Sequence, residues 1–356
     1  MYLFKCLVKQ YGDKKPFAVY RKPNSKIVVG LFQKTYTLHS VETFEEQGFI
    51  FAPFAEGMRF YIPLSESAIL KEELSKETIA LTDVILDYNN IVAKKAFEDL
   101  VTRCVNAIKE HKFAKVVPSR KESIPFEVED LSGLFNKLCD IYPTAFCSLV
   151  YHPEIGLWMG ATPETLLALK GNVLKTMALA GTQVNHGQTE VEWGTKEKEE
   201  QLFVTDFITD TLRPFSDQIS TSEPYSKRAA KVMHICTDIT ASLKQVNLKP
   251  IVEALHPTPA VCGMPKDVAR DFLIEQEGYD RGYYAGYLGE LNCNVEAENT
   301  EETNLFVNLR CMNIEIDKVN LYIGCGVTID SDPTSEFIET VNKSSTMKKV
   351  LSASRN

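Results

Sequence analysis

The stretch AFCSLVYHPEIGLWMGATPETLLALKGNVLKTMALAGT, residues 145–182, contains the pattern that decides the fold. Its apolar residues fall into four short runs, separated by proline, glycine and asparagine, with no segment between them that is long enough for a helix. Gly171 and Asn172 form a two-residue turn signal between the last two runs. We therefore predict consecutive strands, the last two paired as a hairpin, with Glu164 just before that hairpin. The predicted strands are AFCSLVY, LWMGA, TLLALK and VLKTMAL.

Helical periodicity precedes this stretch. Apolar residues recur at three- and four-residue steps from about 90 to 111, which predicts an amphipathic helix that leads to Lys115 on a short strand, KVV. A second helix is expected to present one apolar face, made of Leu131, Leu134, Phe135 and Leu138. Residues 1–85 contain short apolar runs separated by turn signals, and we interpret these runs as strands of a sheet.

The C-terminal part also alternates between predicted helices and strands. Helices are expected over 195–213 and 224–245. The segments NLFVNLRCMNIEI and NLYIGCGVTI are interpreted as adjacent antiparallel strands that turn near residue 317. The last helix has a clear start, because Asp332 is a good N-cap and Pro333 a good first residue.

These elements together favour a mixed α+β fold, because many strands and helices occur but few regular strand-helix-strand units do. No linker rich in proline, glycine and serine divides the chain. One domain over residues 1–356 is therefore expected, with a strand-rich N-terminal part (1–90) and a core (91–356).

Composition excludes several classes of function. A formal net charge of −9 argues against nucleic acid as the main partner, since a phosphate backbone needs clustered Lys and Arg. The longest apolar runs are far shorter than the roughly 20 residues of a membrane helix, and the N-terminus lacks a signal-peptide pattern. We expect a soluble, cytoplasmic protein whose nine scattered cysteines are reduced core thiols.

Glu200 is conspicuous because of its place on a helix. It lies on the same predicted stripe as Phe203, Val204, Phe207 and Ile208, so its carboxylate faces the core and needs a partner. One interpretation is a salt bridge to a lysine or arginine at the edge of the core. The other is a metal ligand.

The last helix carries a second acidic pattern, formed by Glu336, Glu339 and Lys343. Apolar residues on both sides of this stripe suggest that it is not simply solvated. The alternative is an ordinary surface pair between Glu339 and Lys343, four residues apart. Carboxylates from two helices, with no His or Cys nearby, would suit Mg²⁺, a hard ion that prefers oxygen ligands and keeps several waters.

Lys115 and Glu164 are candidates for a base and an acid. Lys115 either reaches solvent from the end of its strand or acts as a base, in which case its pKa must fall from about 10.4 toward ~8. Glu164 needs the opposite shift, since an acid must keep its proton near neutral pH. Dinucleotide, Walker A, HExxH and GxSxG motifs are absent; Gly324-Cys325-Gly326 continues as a strand and lacks the third glycine of a dinucleotide fingerprint.

Nine ordered blocks between about 110 and 351 resemble the signature series of chorismate-utilising enzymes, and among them most closely the isochorismate synthases. The blocks are FAKVVPSR, GATPETLL, LAGT, KEKEEQLFV, LHPTPAVCGMP, DRGYYAGYLGE, NLRC, GCGVTIDSDP and EFIETVNK. The resemblance implies a single α+β domain in which two large, mainly antiparallel sheets pack together with helices outside, an αββα-like arrangement.

The resemblance also implies a Mg²⁺ site and a chorismate site. Its metal ligands would be Glu200 and Glu339, with Glu336 acting through water. The substrate's ring carboxylate would bind the metal, supported by Lys343 and the loop of Gly181 and Thr182. The remaining implied substrate contacts are Arg310, Tyr284 and Gly324 at the enolpyruvyl carboxylate, the active-site histidine His234, and Ala260.

The implied reaction is the isomerisation of chorismate to isochorismate, for menaquinone or siderophore synthesis. Lys115 would activate water for attack on ring carbon 2, and Glu164 would protonate the hydroxyl that leaves carbon 4. Ammonia-using relatives usually lack Lys115, and aminodeoxychorismate synthases carry lysine where this chain has Ala180, so no glutamine amidotransferase subunit is expected. Ala260 favours stopping at isochorismate over elimination of pyruvate to salicylate. A salicylate synthase, or a catalytically silent chorismate-binding regulator, are the alternatives; a monomer or weak homodimer is expected.

Overall fold

Two large antiparallel sheets lie at the centre of the computed structural model, which describes residues 2–74, 79–80, 84–184, 191–229, 232–298, 301–352 and 354–355. Seven α-helices form within these ranges: α1 (Tyr2–Gly12), α2 (Ile91–Lys109), α3 (Leu131–Ile141), α4 (Thr195–Leu212), α5 (Leu248–Leu255), α6 (Lys266–Gln276) and α7 (Pro333–Ser352). A short 3₁₀ turn, Arg213–Phe215, follows α4.

The first half of the chain contributes thirteen strands within the described residues: β1 (Phe17–Arg21), β2 (Ile27–Gln33), β3 (His39–Ser40), β4 (Gly48–Ala52), β5 (Phe60–Pro63), β6 (Ser67–Glu73), β7 (Ile79–Ala80), β8 (Lys115–Val116), β9 (Ser119–Pro125), β10 (Phe146–His152), β11 (Gly156–Thr162), β12 (Thr165–Lys170) and β13 (Val173–Val184). The second half contributes β14 (Ser216–Thr221), β15 (Tyr225–Ala229), β16 (Val232–Leu243), β17 (Gly263–Met264), β18 (Tyr287–Leu291), β19 (Glu302–Val307), β20 (Cys311–Ile314), β21 (Lys318–Gly324) and β22 (Ser354–Arg355).

Strand order distributes the chain over both sheets. The eight-stranded sheet runs β6-β2-β1-β10-β11-β20-β21-β9, and the ten-stranded sheet runs β14-β16-β13-β12-β19-β18-β4-β5-β3, with β15 paired to β16. Two ribbons of two strands each, β17-β8 and β22-β7, stand apart from these sheets. The mixed α+β fold with two antiparallel sheets is therefore confirmed.

The two sheets face each other across an aromatic core. The rings of Phe146 and Phe306, one from each sheet, stack with centroids 4.2 Å apart. Tyr20 and Phe49, also one from each sheet, lie tilted to each other with centroids 5.1 Å apart. The opposite face of the eight-stranded sheet packs under α1, α3 and α7, while α4 covers β13 and β16 of the other sheet. Helices thus lie outside two stacked sheets, as the αββα expectation states.

Most elements follow the sequence pattern. Strands β10 to β13 occupy the predicted runs, and Lys170 pairs with Val173 across the Gly171-Asn172 turn. The helices expected near 90–111 and 195–213 and at Asp332 are present, and Oδ1 of Asp332 accepts from Ser335 N at 2.8 Å. All nine cysteines are free thiols, eight of them buried. No helix within the described part of the chain has the length and apolarity that crossing a membrane requires.

The helix predicted over 224–245 is wrong, because this segment forms the hairpin of β15 and β16. Burial alternates along Thr237–Leu243, and β-branched residues are frequent there, a composition that favours strands. A helical reading of the apolar spacing overlooks this composition, which is the part of the evidence that the sequence contains.

Two further departures concern the ends of the chain. The segment NLFVNLRCMNIEI is not one strand: β19 belongs to the ten-stranded sheet and β20 to the other, and Arg310 lies in the crossing between them with φ +49°. The pairing of β20 with β21 is as predicted. Helix α1 was not predicted, although Leu3, Phe4 and Leu7 form its buried stripe.

Candidate active site

One pocket gathers most of the candidate residues. It is walled by strands of both sheets together with α4 and α7. The candidate residues that line it are Glu164, Gly181, Glu200, His234, Ala260, Tyr284, Arg310, Gly324, Glu339 and Lys343.

Lys115 lies directly behind this lining. Its side chain is fully buried, and Nζ is 2.8 Å from Oε1 of Glu200, which does line the pocket. The alternative in which Lys115 reaches solvent is therefore wrong. Strand β8 fixes the lysine, because Lys115 pairs with Met264 of β17 and Val116 bridges to Val327.

Glu164 lies in the turn between β11 and β12, with its main chain held on both sides. Its N–H donates to Thr162 Oγ1 at 3.2 Å, and its carbonyl accepts from Val307 N at 3.0 Å. The side chain is 5% exposed. Burial disfavours the charged carboxylate and raises the pKa of Glu164 to about 7, although the nearby cations Lys115 and Arg310 oppose this shift.

Glu200 projects from α4 toward the loop that follows β21. The ion pair with Lys115 is the salt bridge that the sequence offered as one interpretation of this residue. Gly326 leaves room for the pair, since a Cβ at that position would collide with Oε1 of Glu200 and lie 3.3 Å from Cε of Lys115.

Glu339 and Lys343 form an ion pair of 2.6 Å within the pocket rather than on an open surface. Nζ of Lys343 also donates to the carbonyl of Gly324 at 3.1 Å, which ties α7 to the end of β21. Glu336, one turn earlier, is 2% exposed and hydrogen-bonds the thiol of Cys325. It lies behind the pocket wall.

His234 is held as a neutral ring. Its Nδ1 lies 2.9 Å from the carbonyl of Gly181, which can only accept, so Nδ1 carries the proton and Nε2 is an acceptor. Burial, with Arg310 and Lys343 nearby, lowers the pKa of His234 to about 3. Thr182 pairs with His234 in the strand ladder, and its side chain lies outside what the structure describes.

Arg310 brings a second cation into the pocket beside Lys343. It lies where the chain crosses between the sheets, and Nη1 approaches the carbonyl of Lys343 at 3.5 Å. Burial lowers its pKa from the ordinary value, while Tyr284 and Glu339 oppose this shift. Two cations close to a protonatable Glu164 create a site for an anion within a protein of negative net charge.

Glu200 and Glu339 are the residues that could hold a metal. They offer carboxylate oxygens from two helices to one pocket, a donor type that suits Mg²⁺. Across the described residues, no group of three or more His, Cys, Asp or Glu is placed to hold an ion. A Mg²⁺ ion here would therefore complete its shell with water and with oxygens of a bound ligand, as is usual for this ion.

Of the apolar lining, sequence reasoning identified Tyr284 and Ala260 but missed their neighbours. Tyr322 stacks on Tyr284 with centroids 5.6 Å apart, and both border the pocket with Leu179, Leu309 and Cys325. Each of these residues lies in an apolar run that also fits an ordinary core strand. The nearby motif DRGYYAGYLGE was the only available signal for Tyr284.

Comparisons with known proteins agree with this geometry. A protein-family model described as chorismate binding enzyme matches residues 59–352. The salicylate biosynthesis isochorismate synthase of Pseudomonas aeruginosa is 31% identical over 281 residues, which cover 73% of this chain and 55% of that protein. The putative isochorismate synthase MenF of Mycobacterium tuberculosis is 30% identical over 257 residues, 67% of each chain. The chain spans about half the length of several curated relatives that it matches.

Solved structures show the same fold. One from Bacillus anthracis, described as a putative 2,3-dihydroxybenzoate-specific isochorismate synthase, DhbC, superposes with a TM-score of 0.78 at 21% identity, covering 97% of this chain and 99% of that one. MenF, the menaquinone-specific isochorismate synthase of Escherichia coli, gives a TM-score of 0.76 at 20% identity and covers 94% of this chain and 88% of its own.

Proposed function

This chain belongs to the chorismate-binding enzymes, and we propose that it converts chorismate into isochorismate with the help of Mg²⁺. The observation that carries the proposal is a fully buried lysine, Lys115, directly behind the pocket that Glu164 lines. Glu164 is a buried carboxyl group whose pKa is raised to about 7. An acid and a base at one pocket are what exchange of a ring hydroxyl for water requires.

The proposed reaction balances without a redox cofactor. Lys115 takes a proton from water as the water oxygen bonds to ring carbon 2. The ring double bonds shift, the bond from carbon 4 to its hydroxyl breaks, and Glu164 gives its proton to the departing oxygen. One water enters and one leaves, so substrate and product are isomers and the reaction is reversible.

The chain's charged groups would hold the two carboxylates of chorismate. Arg310 and Tyr284, with the main chain near Gly324, suit the enolpyruvyl carboxylate. Lys343 and Gly181, which lies at an irregularity within β13 and not in a loop, suit the ring carboxylate. Mg²⁺ held by Glu200 and Glu339 would neutralise the ring carboxylate. Glu336 is proposed to act on that ion only through water, since it lies behind the pocket wall.

Water is the proposed nucleophile, so the proposal requires no amidotransferase partner. Two features support water over ammonia: Lys115 is present, and Ala180 occupies the position where aminodeoxychorismate synthases carry lysine. Ala260 lines the pocket and supports release of isochorismate over elimination of pyruvate to salicylate. The matches include one structure described as a menaquinone-specific isochorismate synthase and one described as a putative 2,3-dihydroxybenzoate-specific one.

A product assay tests the proposal. Purified protein is incubated with chorismate and Mg²⁺, and the products are separated by chromatography. Isochorismate supports the proposed reaction, salicylate with pyruvate indicates a salicylate synthase, and unchanged chorismate contradicts both. Lys115→Ala separates an enzyme from a binding protein, because turnover should be nearly abolished while chorismate binding, followed by calorimetry, is kept.

A further inference from the structure

A buried ion pair lies outside the residues assigned to catalysis. Arg281 and Glu277 are 4% and 2% exposed, and their side chains meet in two contacts: Nη2 to Oε1 at 2.6 Å and Nε to Oε2 at 2.8 Å. The guanidinium also lies over the rings of Phe54 and Tyr284. Burying such a pair is favourable only when its remaining hydrogen-bonding groups are satisfied.

The remaining donors and acceptors of the pair reach two particular places in the chain. Arg281 donates to the main-chain carbonyls of Val117 at 2.6 Å and Val261 at 3.0 Å. Oε1 of Glu277 accepts from both the N–H and the hydroxyl of Ser119, at 2.7 and 2.9 Å. The pair therefore joins the chain just after β8 to the chain just before β17.

These two places lie at the end of the short ribbon that carries Lys115, where the chain leaves β8 and enters β17. Strands β8 and β17 belong to neither large sheet. Two residue pairs, the bridge from Val116 to Val327 and main-chain hydrogen bonds from Val117 to Cys262 and from Ala114 to Met264 hold β8 in place. Such a short ribbon has little stiffness of its own. Val117 and Val261 also line the pocket, so a shift at this end would move the wall and the lysine together.

We propose that the Arg281–Glu277 pair is a positioning device that holds the Lys115 strand at its working distance from the substrate. This inference rests on the proposed function, since it assigns Lys115 a proton transfer. Positioning acts on the rate of the chemical step more than on binding, because a displacement of about 1 Å in a reacting group can cost on the order of 100-fold in rate. The pair itself touches no reacting atom.

Arg281→Lys tests the proposal, because lysine keeps the charge beside Glu277 but cannot form the fork that reaches a carboxylate and two carbonyls at once. We expect kcat per folded molecule to fall roughly 10- to 100-fold, with KM within about threefold of wild type. Arg21→Lys is the matched control: Arg21 is equally buried and also bonds main-chain carbonyls, of Tyr142 and Ala145, but lies outside the pocket lining. It should lower the melting temperature and leave kcat unchanged.

A purely structural role predicts that Arg281→Lys resembles Arg21→Lys, with reduced stability and normal kcat, and that result would overturn the proposal. A rise in KM without a fall in kcat would also overturn it. If Arg281→Lys does not fold, Ser119→Ala decides. It removes the hydroxyl's hydrogen bonds to Glu277 and to Tyr279, so a few-fold loss of kcat is expected, and an unchanged kcat contradicts the proposal. If the wild-type protein forms salicylate, the proposed function is wrong but the comparison of kcat between the variants stays valid. If the wild-type protein shows no turnover, the proposed function and the positioning role are both wrong.

Discussion

At the scale of single residues, the pKa of Glu164 determines how the proposed reaction should depend on pH. In the reacting enzyme, Glu164 and Lys115 together carry one proton. That proton is on the Glu164 carboxyl group when chorismate reacts and on the Lys115 amine when isochorismate reacts. Amines ordinarily hold protons to higher pH than carboxyl groups. The first proton to leave as pH rises is therefore the one on Glu164, whose pKa is raised to about 7 by burial.

We expect kcat/KM to fall about tenfold for each pH unit below about 7, with the same profile for chorismate and for isochorismate. The two profiles must agree because the equilibrium between isomers does not depend on pH. Initial rates from about pH 5.5 to about pH 8 measure both. A rate that stays flat down to about pH 5.5 would show that Glu164 does not titrate in the catalytic cycle.

The ionised form of the Glu164 carboxyl group should lower the free energy of unfolding at pH values above its pKa. Its pKa is 4.5 in its ordinary state and about 7 in the folded protein, so the folded state favours the protonated form. The associated stability is present below pH 4.5 and is lost as pH rises through 7. Glu164→Gln removes the ionisation and should raise the free energy of unfolding by about 3 kcal/mol above pH 7.

Urea unfolding of wild type and Glu164→Gln at about pH 5 and about pH 8 measures this difference. The gain should be small at the lower pH and close to its full value at the higher one. Equal stability of the two proteins at the higher pH would mean that Glu164 is not buried as the structure has it.

The sequence could predict the charged residues of the site better than its shape. Glu200 was recognised because a carboxylate on an apolar stripe needs a partner, and the structure gives it Lys115. Arg281 was not recognised, because its donors bond main-chain carbonyls of residues 20 and 164 positions away in the chain. Spacing along one helix or strand carries no information about such contacts.

At the scale of elements, α4 and α7 each bring one carboxylate to the pocket, which predicts how metal dependence should respond to mutation. Activity should be lost after treatment with EDTA and return with Mg²⁺. Glu200→Gln and Glu339→Gln should each raise the Mg²⁺ concentration needed for half-maximal activity by roughly tenfold or more. Glu199→Gln is the control, since Glu199 is exposed on the same helix. Activity that survives EDTA would contradict the two-carboxylate site.

A second prediction at this scale concerns Gly326, in the loop between β21 and α7. Gly326→Ala would push the carboxylate of Glu200 away from Lys115, because the new Cβ occupies the place of Oε1. We expect kcat/KM to fall about tenfold or more, with little change in circular dichroism. Gly12→Ala is the matched control, since its Cβ meets no atom within 4 Å. Equal activity of the two variants would show that displacement of Glu200 does not reduce the rate.

Element prediction is wrong in two places, for two different reasons. Strand β16 was interpreted as helix although its C-terminal half alternates in burial, and β19 was joined to β20 although they lie in different sheets. The first error concerns local composition and was avoidable. The second was not, because the choice between sheets depends on contacts with β12 and β18, which are remote in sequence.

At the scale of the whole molecule, the stacking of two sheets explains how a protein of net charge −9 can receive an anion. The pocket is walled by strands from both sheets and by two helices, so Arg310 and Lys343 act in a partly enclosed space rather than in bulk water. Composition alone shows that the protein is acidic, and it does not explain how such a protein binds an anionic ligand. The resemblance of the motifs supplied the layered architecture, which periodicity by itself does not determine.

The most direct test of the account is to run the reaction in water labelled with ¹⁸O and to identify the product by chromatography and mass spectrometry. Attack of water on carbon 2 predicts isochorismate that carries one ¹⁸O atom at that carbon, formed by wild type and nearly absent with Lys115→Ala. Isochorismate without the label, salicylate as the product, or unchanged chorismate would contradict the account.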